Sequence, residues 1–394
     1  MRSTISAMGI LPFNGAFAPE VTELDWWRAQ LDLRGQLLLG WAGQLRRDLQ
    51  AEAIQASTAM EGVPVTVDEV RRILAGDRPA QVSPADAALV EGYREAMTYC
   101  QRRADDPDFA WSPELITAVH DRIVAGRRDH GAGRFGGPRS VSDSRTGLLL
   151  FTPPQDEVGR WVERVCDRMN SSDEHAALRA AWIHVANAAV HPFKNGNGRL
   201  SRVLASLAMY RGGFRRPEFS SLDEWWGRHL ADYYAAFRCL GRRFDSTADV
   251  TPFVRVHLAA QLSQVRALDL RERTTRRIWD VLAQSAAVVG LPDRVIFALW
   301  ETFNGRALTR PYYAALADVG PTTVSQDLAA LAAARFLAPV GRTRARRWLA
   351  GDRLLPAIAG ALGLPRGSDR PAIVAAITAA LSEELDLLAR GHRS

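Results

Sequence analysis

Apolar residues recur at helical spacing over residues 26–55, where a three-to-four-residue repeat gathers them on one stripe. Pro64 followed by Thr66, Val67 and Asp68 breaks that run and opens a new helix, since proline stops the preceding turn and threonine caps the next. The same period continues over residues 85–102, 112–125, 156–169 and 174–190, with polar or Gly-rich connections between them. One stretch departs from this rhythm. Residues 131–138 are Gly-rich, and Gly147-Leu148-Leu149-Leu150-Phe151 runs into Pro153-Pro154, which predicts a short strand or hairpin. Trp225, Trp226, Tyr233, Tyr234 and Phe237 fall at helical spacing and predict a core face rather than a site.

Past residue 270 the pattern changes. Arg271, Arg273, Arg276 and Arg277 crowd together and predict a solvated link into another domain. Three short helices follow at residues 295–303, 310–317 and 322–333, the third entered through Gly320-Pro321 with Thr322 or Thr323 near its cap. Residues 336–349 predict a two-stranded hairpin carrying Arg342, Arg344, Arg346 and Arg347. The tail, 354–394, reads as Ala/Leu-rich amphipathic helices with a linker at 365–369, which either pack on the core or pair two copies. The expected organisation is mainly α, divided into residues 1–84, 85–270, 271–353 and 354–394.

Composition narrows the class. With 394 residues, 47% hydrophobic and 24% charged, the chain is long enough for two or three domains with real cores. It contains no run of about 18 uncharged apolar residues and no leader pattern at its start, so a cytoplasmic protein without membrane contact is expected. Three scattered cysteines, Cys100, Cys166 and Cys239, exclude a disulfide framework or a zinc site and read as small buried hydrophobes. The net charge of +6 comes from arginines spread along the chain, which leaves local clusters as the better guide to polyanion binding.

The chemistry concentrates in His191-Pro192-Phe193-Lys194-Asn195-Gly196-Asn197-Gly198-Arg199-Leu200-Ser201-Arg202. An amphipathic helix enters a glycine-rich turn and a second helix leaves it. Gly196 and Gly198 permit close backbone approach, and the amides opening the second helix present the positive end of its dipole, the layout of a phosphate site. Arg199 and Arg202 lie three residues apart on one face, so two guanidinium forks can grip adjacent phosphoryl oxygens. His191 stands just before the loop, where a base would be needed.

This segment resembles the Fic family motif HPFx[D/E]GNGRxxR, matched at His191, Pro192, Phe193, Gly196, Asn197, Gly198, Arg199 and Arg202. The resemblance implies a bacterial protein adenylyltransferase with ATP as substrate. His191 would take the proton from a Ser, Thr or Tyr hydroxyl of a protein target, the chain itself included. Asn197 and the loop amides, with Lys194 beside them, would hold the α-phosphate; Arg199 would hold the leaving pyrophosphate and Arg202 the γ-phosphate, with Phe193 as a buried anchor. Asn195 departs from the motif: the expected Mg²⁺-binding carboxylate is an amide, which keeps an oxygen but loses the charge.

Upstream, Ser57-Thr58-Ala59-Met60-Glu61-Gly62 reads by itself as a helix stopped by glycine. It also resembles the Fic inhibitory pattern [S/T]xxxE[G/N], which implies that Glu61 pairs with Arg202 while Ser57 hydrogen-bonds in the same site. The stretch 144–152, with Gly147, Leu148, Leu149 and Leu150, resembles the flap on which Fic enzymes hold an extended target segment. The module at 271–353 resembles a winged helix-turn-helix, implying a DNA duplex or a docking protein as partner. A second class of function is therefore expected as an alternative: a DNA-binding regulator whose Fic domain senses nucleotide without turnover.

Overall fold

The computed structural model describes residues 10–35, 40–136, 140–142, 149–216, 221–342 and 346–391. The chain divides into two compact units, Met1–Arg266 and Ala267–Ser394.

In the first unit the long apolar repeat resolves into two helices, α1 (Ala18–Gly35) and α2 (Gly40–Ala59). Helix α3 (Val67–Leu74) starts at Thr66, whose hydroxyl accepts from the Glu69 amide while the Glu69 carboxylate accepts from the Thr66 amide, a reciprocal cap. Helices α4 (Pro84–Ala104) and α5 (Pro113–Ile123) begin alike, with a serine cap, Ser83 or Ser112, followed by proline in the first turn.

Strands β1 (Val141–Ser142) and β2 (Leu149–Phe151) pair antiparallel, with a register shift between Val141 and Ser142. Helices α6 (Val158–Ser171), α7 (Ala176–Val190) and α8 (Asn197–Arg211) follow. Helix α7 is apolar on nearly every face and is buried almost throughout. Helix α8 likewise buries every residue from Arg199 to Met209. A helix hydrophobic all round belongs inside, and these two form the centre about which the other elements pack. Two short helices follow, α9 (Asp223–Arg228), which packs against α2, and α10 (Leu230–Ala236).

Helix α11 (Thr251–Val288) begins in the first unit and ends in the second. The expected solvated link at residues 271–277 is continuous helix rather than an irregular segment, and the division into units falls just before it. Leu268, Ile278, Trp279, Val281 and Leu282 are buried, while Arg276 and Arg277 are exposed. The arginine cluster marks the wet side of an amphipathic helix, and no glycine or proline interrupts it between Pro252 and Gly290.

The second unit places α12 (Ile296–Phe303), α13 (Arg310–Ala317) and α14 (Pro321–Ala333) before a hairpin of β3 (Leu337–Val340) and β4 (Arg347–Ala350). Leu308 adds a bridge to Trp348 at the edge of that hairpin. Leu308, Tyr313, Leu328, Phe336 and Trp348 are buried in this unit. Asp327 on α14 is buried too, accepting two bonds from Arg294 at 2.8 Å and one from the Tyr313 hydroxyl at 2.8 Å. Helices α15 (Leu354–Ala361) and α16 (Arg370–Gly391) follow. The cysteines are unpaired; Cys100 and Cys166 are buried and Cys239 is half-buried. No described helix is long and apolar enough to cross a membrane.

Candidate active site

Helix α7 ends at His191, whose backbone adopts the left-handed conformation at φ 50° while its amide still donates to the Asn187 carbonyl at 2.8 Å. A histidine with positive φ is held there only by its surroundings, and such positions cluster at functional sites. Gly196, at φ 76°, turns the chain again and starts α8. Between these turns Asn197 closes the loop. Its side-chain oxygen accepts from the Phe193 amide at 3.0 Å and its side-chain nitrogen donates to the Phe193 carbonyl at 2.7 Å. The Asn197 side chain thus braces the loop backbone at the place where an α-phosphate is expected.

His120 of α5 supports the loop from beneath and was missed in the sequence. Its ring stacks on Phe193 with centroids 3.6 Å apart and planes 3° from parallel. Nδ1 lies 3.2 Å from the Gly133 amide, a donor, and Nε2 lies 2.8 Å from the Asn195 carbonyl, an acceptor. These partners require the neutral tautomer protonated at Nε2. Burial pushes the pKa of His120 down to about 4, so the ring stays neutral at ordinary pH. The available signal was a histidine on the apolar face of an amphipathic helix, between the buried Val119 and Ile123.

Both motif arginines lie inside the protein, at 2% and 3% exposure. Arg199 donates from NH1 to the Ile123 carbonyl at 3.2 Å; its Nε has no partner, and among the described residues no carboxylate lies within ion-pair distance. Desolvation lowers its pKa. Arg202 is held on every side. Nε donates to Asp223 Oδ1 at 2.6 Å and to Ser57 Oγ at 3.1 Å, NH1 donates to the Tyr233 hydroxyl at 3.3 Å, and NH2 donates to Ser57 Oγ at 2.9 Å and the Ser57 carbonyl at 3.1 Å. Glu61 Oε1 stands 3.6 Å from NH2. Burial works against the charge of Arg202, but Tyr233, Asp223 and Glu61 outweigh it and hold the pKa above the usual arginine value.

Glu61 also lies on the first turn of α8. A Cβ built on Gly198 would come 2.3 Å from Glu61 Oε1 and 3.2 Å from Arg202 NH1. Its carboxylate thus occupies the seat that an anion would take at this helix start. Ser57 and Glu61 come from α2 and the turn ending in Gly62, which has φ 83°.

Asp223, Tyr93 and Tyr233 complete the site and were not anticipated. Tyr233 was expected to be core only; it is buried, but its hydroxyl meets Arg202 and lies 3.1 Å from His184 Nε2. Asp223 Oδ2 accepts from the Tyr93 hydroxyl at 2.8 Å and from Ser221 Oγ at 2.6 Å. Burial first, and Asp223 second, raise the Tyr93 pKa well above normal, so it remains a donor.

Asn195 offers little to a metal ion: its side-chain oxygen accepts from the Gly196 amide at 2.7 Å. Among the described residues no three His, Cys, Asp or Glu side chains cluster as a metal site. The donor set does not fit a protein-held Mg²⁺. Lys194 is exposed. On the flap, Leu149 and Leu150 are exposed on β2 while Phe151 is buried; Gly147 and Leu148 lie outside the described residues.

Residues 110–209 match the Fic/DOC family, and that stretch forms a Fic/DOC domain. The chain is 30% identical over 146 residues to protein adenylyltransferase fic-1 of Caenorhabditis elegans, covering 36% of this chain and 25% of that protein. It is 26% identical over 210 residues to protein adenylyltransferase Fic of Nematostella vectensis, covering 51% and 44% respectively. It thus spans less than half the length of these relatives. A crystal structure of a Fic family protein from Desulfovibrio desulfuricans G20 superposes with a TM-score of 0.57 at 20% identity, over 86% of this chain and 98% of that one. A Fic domain containing signaling protein from Bacteroides thetaiotaomicron gives 0.54 at 18% identity, over 63% and 94%. At these identities the structural likeness establishes the fold.

Proposed function

We propose that the Fic/DOC domain transfers AMP from ATP to a Ser, Thr or Tyr hydroxyl of a protein, and that Glu61 holds it back. The observation that carries this reading is the pair of buried guanidinium groups, Arg199 and Arg202, against the Gly196–Gly198 turn, with a carboxylate seated over Gly198. A buried guanidinium with no carboxylate within ion-pair distance among the described residues, as at Arg199, is costly, and a polyphosphate would supply the missing contact. The relatives named protein adenylyltransferases support the same reading.

In this mechanism the target hydroxyl oxygen attacks the α-phosphorus. The new P–O bond forms as the bond to the bridging oxygen of the β-phosphate breaks, and pyrophosphate leaves. The hydroxyl proton passes to His191, which suits the role because imidazole is partly neutral near pH 7. Amides at the start of α8 and the Arg199 fork face the charge that develops on the phosphoryl oxygens. Phosphates entering the seat displace Glu61 and engage the NH1 end of Arg202 beside Gly198. Leu149 and Leu150 on β2 offer a strand on which an extended target segment can add.

The test is Glu61→Gly, incubated with labelled ATP and Mg²⁺ and scored for label on itself and on lysate proteins. Transfer at least about fivefold above the parent is expected, since a partly buried pair costs more than about 1 kcal/mol to displace. Equal labelling of parent and variant, with both folded and binding ATP, would sink the inhibition.

A second reading attaches to residues 267–394, where α12, α13, α14 and the β3–β4 hairpin follow the order of a winged helix-turn-helix. Thr322, Ser325 and Gln326 are exposed on α14, and Arg342, Arg346 and Arg347 are exposed at the hairpin. Those side chains suit base edges and phosphates respectively. In that case the chain is a DNA-binding regulator with a nucleotide-sensing Fic domain. Duplex binding by the full chain should weaken at least tenfold between 50 and 200 mM salt, about the slope of a few phosphate contacts. Salt-independent or absent binding assigns the module to protein docking.

A further inference from the structure

Arg202 faces two carboxylates, and their placements differ. Asp223 is fully buried, 2.6 Å from Nε, with its second oxygen anchored by the Tyr93 hydroxyl and Ser221. Glu61 is 21% exposed, 3.6 Å from NH2. The closer, drier and better anchored partner is Asp223. It lies on the Nε side of the guanidinium, whereas Glu61 lies at the NH2 end over Gly198.

From this juxtaposition we propose that Asp223 is a positioning residue: it holds Arg202 oriented toward the α8 start and takes most of its charge, so that Glu61 is a releasable partner rather than a permanent one. The proposal rests on the nucleotide reading above for its consequence, and on the Arg202 geometry alone for its substance. A guanidinium already neutralised in a dry site attracts a second carboxylate weakly, because the first has discharged the field that would bind it. The two unequal distances follow that logic. The hydrogen bond at Nε also fixes the plane of the fork, and the Tyr233 oxygen receives NH1. The Tyr233 oxygen also lies 3.1 Å from His184 Nε2, which fixes the phenol between the two groups. With Glu61 gone, Arg202 stays held by Asp223 and Ser57, and NH1, 3.2 Å from a Cβ built on Gly198, turns the N–H that Tyr233 does not take toward a phosphate. Net positive charge for the nucleotide comes from Arg199, which has no carboxylate within ion-pair distance among the described residues.

The experiment is a double-mutant cycle on Asp223→Asn and Glu61→Gly, read as equilibrium binding of a fluorescent ATP analogue to the full chain. Asn keeps the shape of Asp223: its oxygen can accept from Arg202 while its amide donates to the hydroxyls of Tyr93 and Ser221. What it removes is the charge, and the freed field then falls on Glu61. Asp223→Asn should weaken ATP binding about tenfold when Glu61 is present and less than about threefold in the Glu61→Gly background, a coupling near 1 kcal/mol. An equal loss in both backgrounds, or none in either, overturns the proposal, since a merely structural residue costs the same with or without Glu61. Should Asp223→Asn not fold, a crystal structure of Glu61→Gly decides the matter. Arg202 Nε should remain within hydrogen-bond distance of Asp223 with the guanidinium plane unchanged, and a swung-out Arg202 overturns it. If neither parent nor Glu61→Gly binds the analogue at millimolar concentration, the nucleotide reading fails, and the Glu61→Gly structure still judges Asp223.

Discussion

The two sides of the first turn of α8 solve the same problem in opposite ways. On one side Arg199 is buried with a backbone acceptor, the Ile123 carbonyl, and no carboxylate in ion-pair range among the described residues. On the other, Arg202 is buried among Asp223, Glu61, Ser57 and Tyr233. An uncompensated buried cation is destabilising, and folding elsewhere must offset it; a compensated one is part of what folding builds. The first is the economical place for a ligand charge, the second for a control.

The widest test of this contrast concerns the residue both sides serve. His191→Ala should lower transfer about 10²–10⁴-fold while ATP binding stays near the parent, because the imidazole moves a proton and does not hold the nucleotide. Retained transfer removes His191 as the base and leaves the arginines with no reaction to support.

Replacing each arginine by methionine should separate the two sides most clearly. Arg202→Met strands Asp223 as a buried charge, and a loss of about 3–5 kcal/mol in denaturant unfolding is expected. Arg199→Met should leave stability equal or higher while ATP affinity falls about 10–100-fold, the worth of one or two hydrogen bonds to a charged group. Equal destabilisation by both would mean that Arg199 too is satisfied within the fold, and the contrast would collapse.

A smaller effect should appear with acid. His120, beneath the loop, titrates at about 4 when folded against 6.5 unperturbed, through burial. Its stabilisation is complete above pH 6.5 and is lost as pH falls toward 4, because in that window the unfolded chain binds the proton and the folded one does not. About 3 kcal/mol is at stake. His257, pushed by burial to about 3, slopes the same way. Unfolding midpoints at pH 7, 5.5 and 4.5 should drop, and His120→Asn should flatten part of the fall; a profile unchanged by that substitution assigns the slope to other groups.

The legible parts of this molecule are those encoded within a few residues. The reciprocal cap at Thr66 and Glu69, the helix starts at Ser83 and Ser112, and the turn at Gly196 all rest on neighbours three or four positions away. The glycine turn and both arginines could be placed for the same reason. Asp223 could not: it reaches Arg202 across 21 positions and Tyr93 across 130. Ser57 and Glu61, far upstream of Arg202, were placed by resemblance to a pattern, not by anything local. Tyr233 was misread because an aromatic stripe signals burial without revealing where its hydroxyl goes. The arginines at 271–277 misled for the opposite reason: charge was taken as a break, while the apolar period beneath it ran on.

Gly198 has a consequence for how this chain can change over generations. A methyl at that position would meet Glu61 Oε1 at 2.3 Å and Arg202 NH1 at 3.2 Å. The one missing side chain makes room for the Glu61 carboxylate and, under the function proposed above, for an incoming phosphate in its place. Natural variation at 198 therefore has no route to loosening the restraint while sparing the seat. Selection for a more or less active descendant must work through other positions, among them Ser57, Glu61, Asp223 and Tyr233, whose side chains meet Arg202.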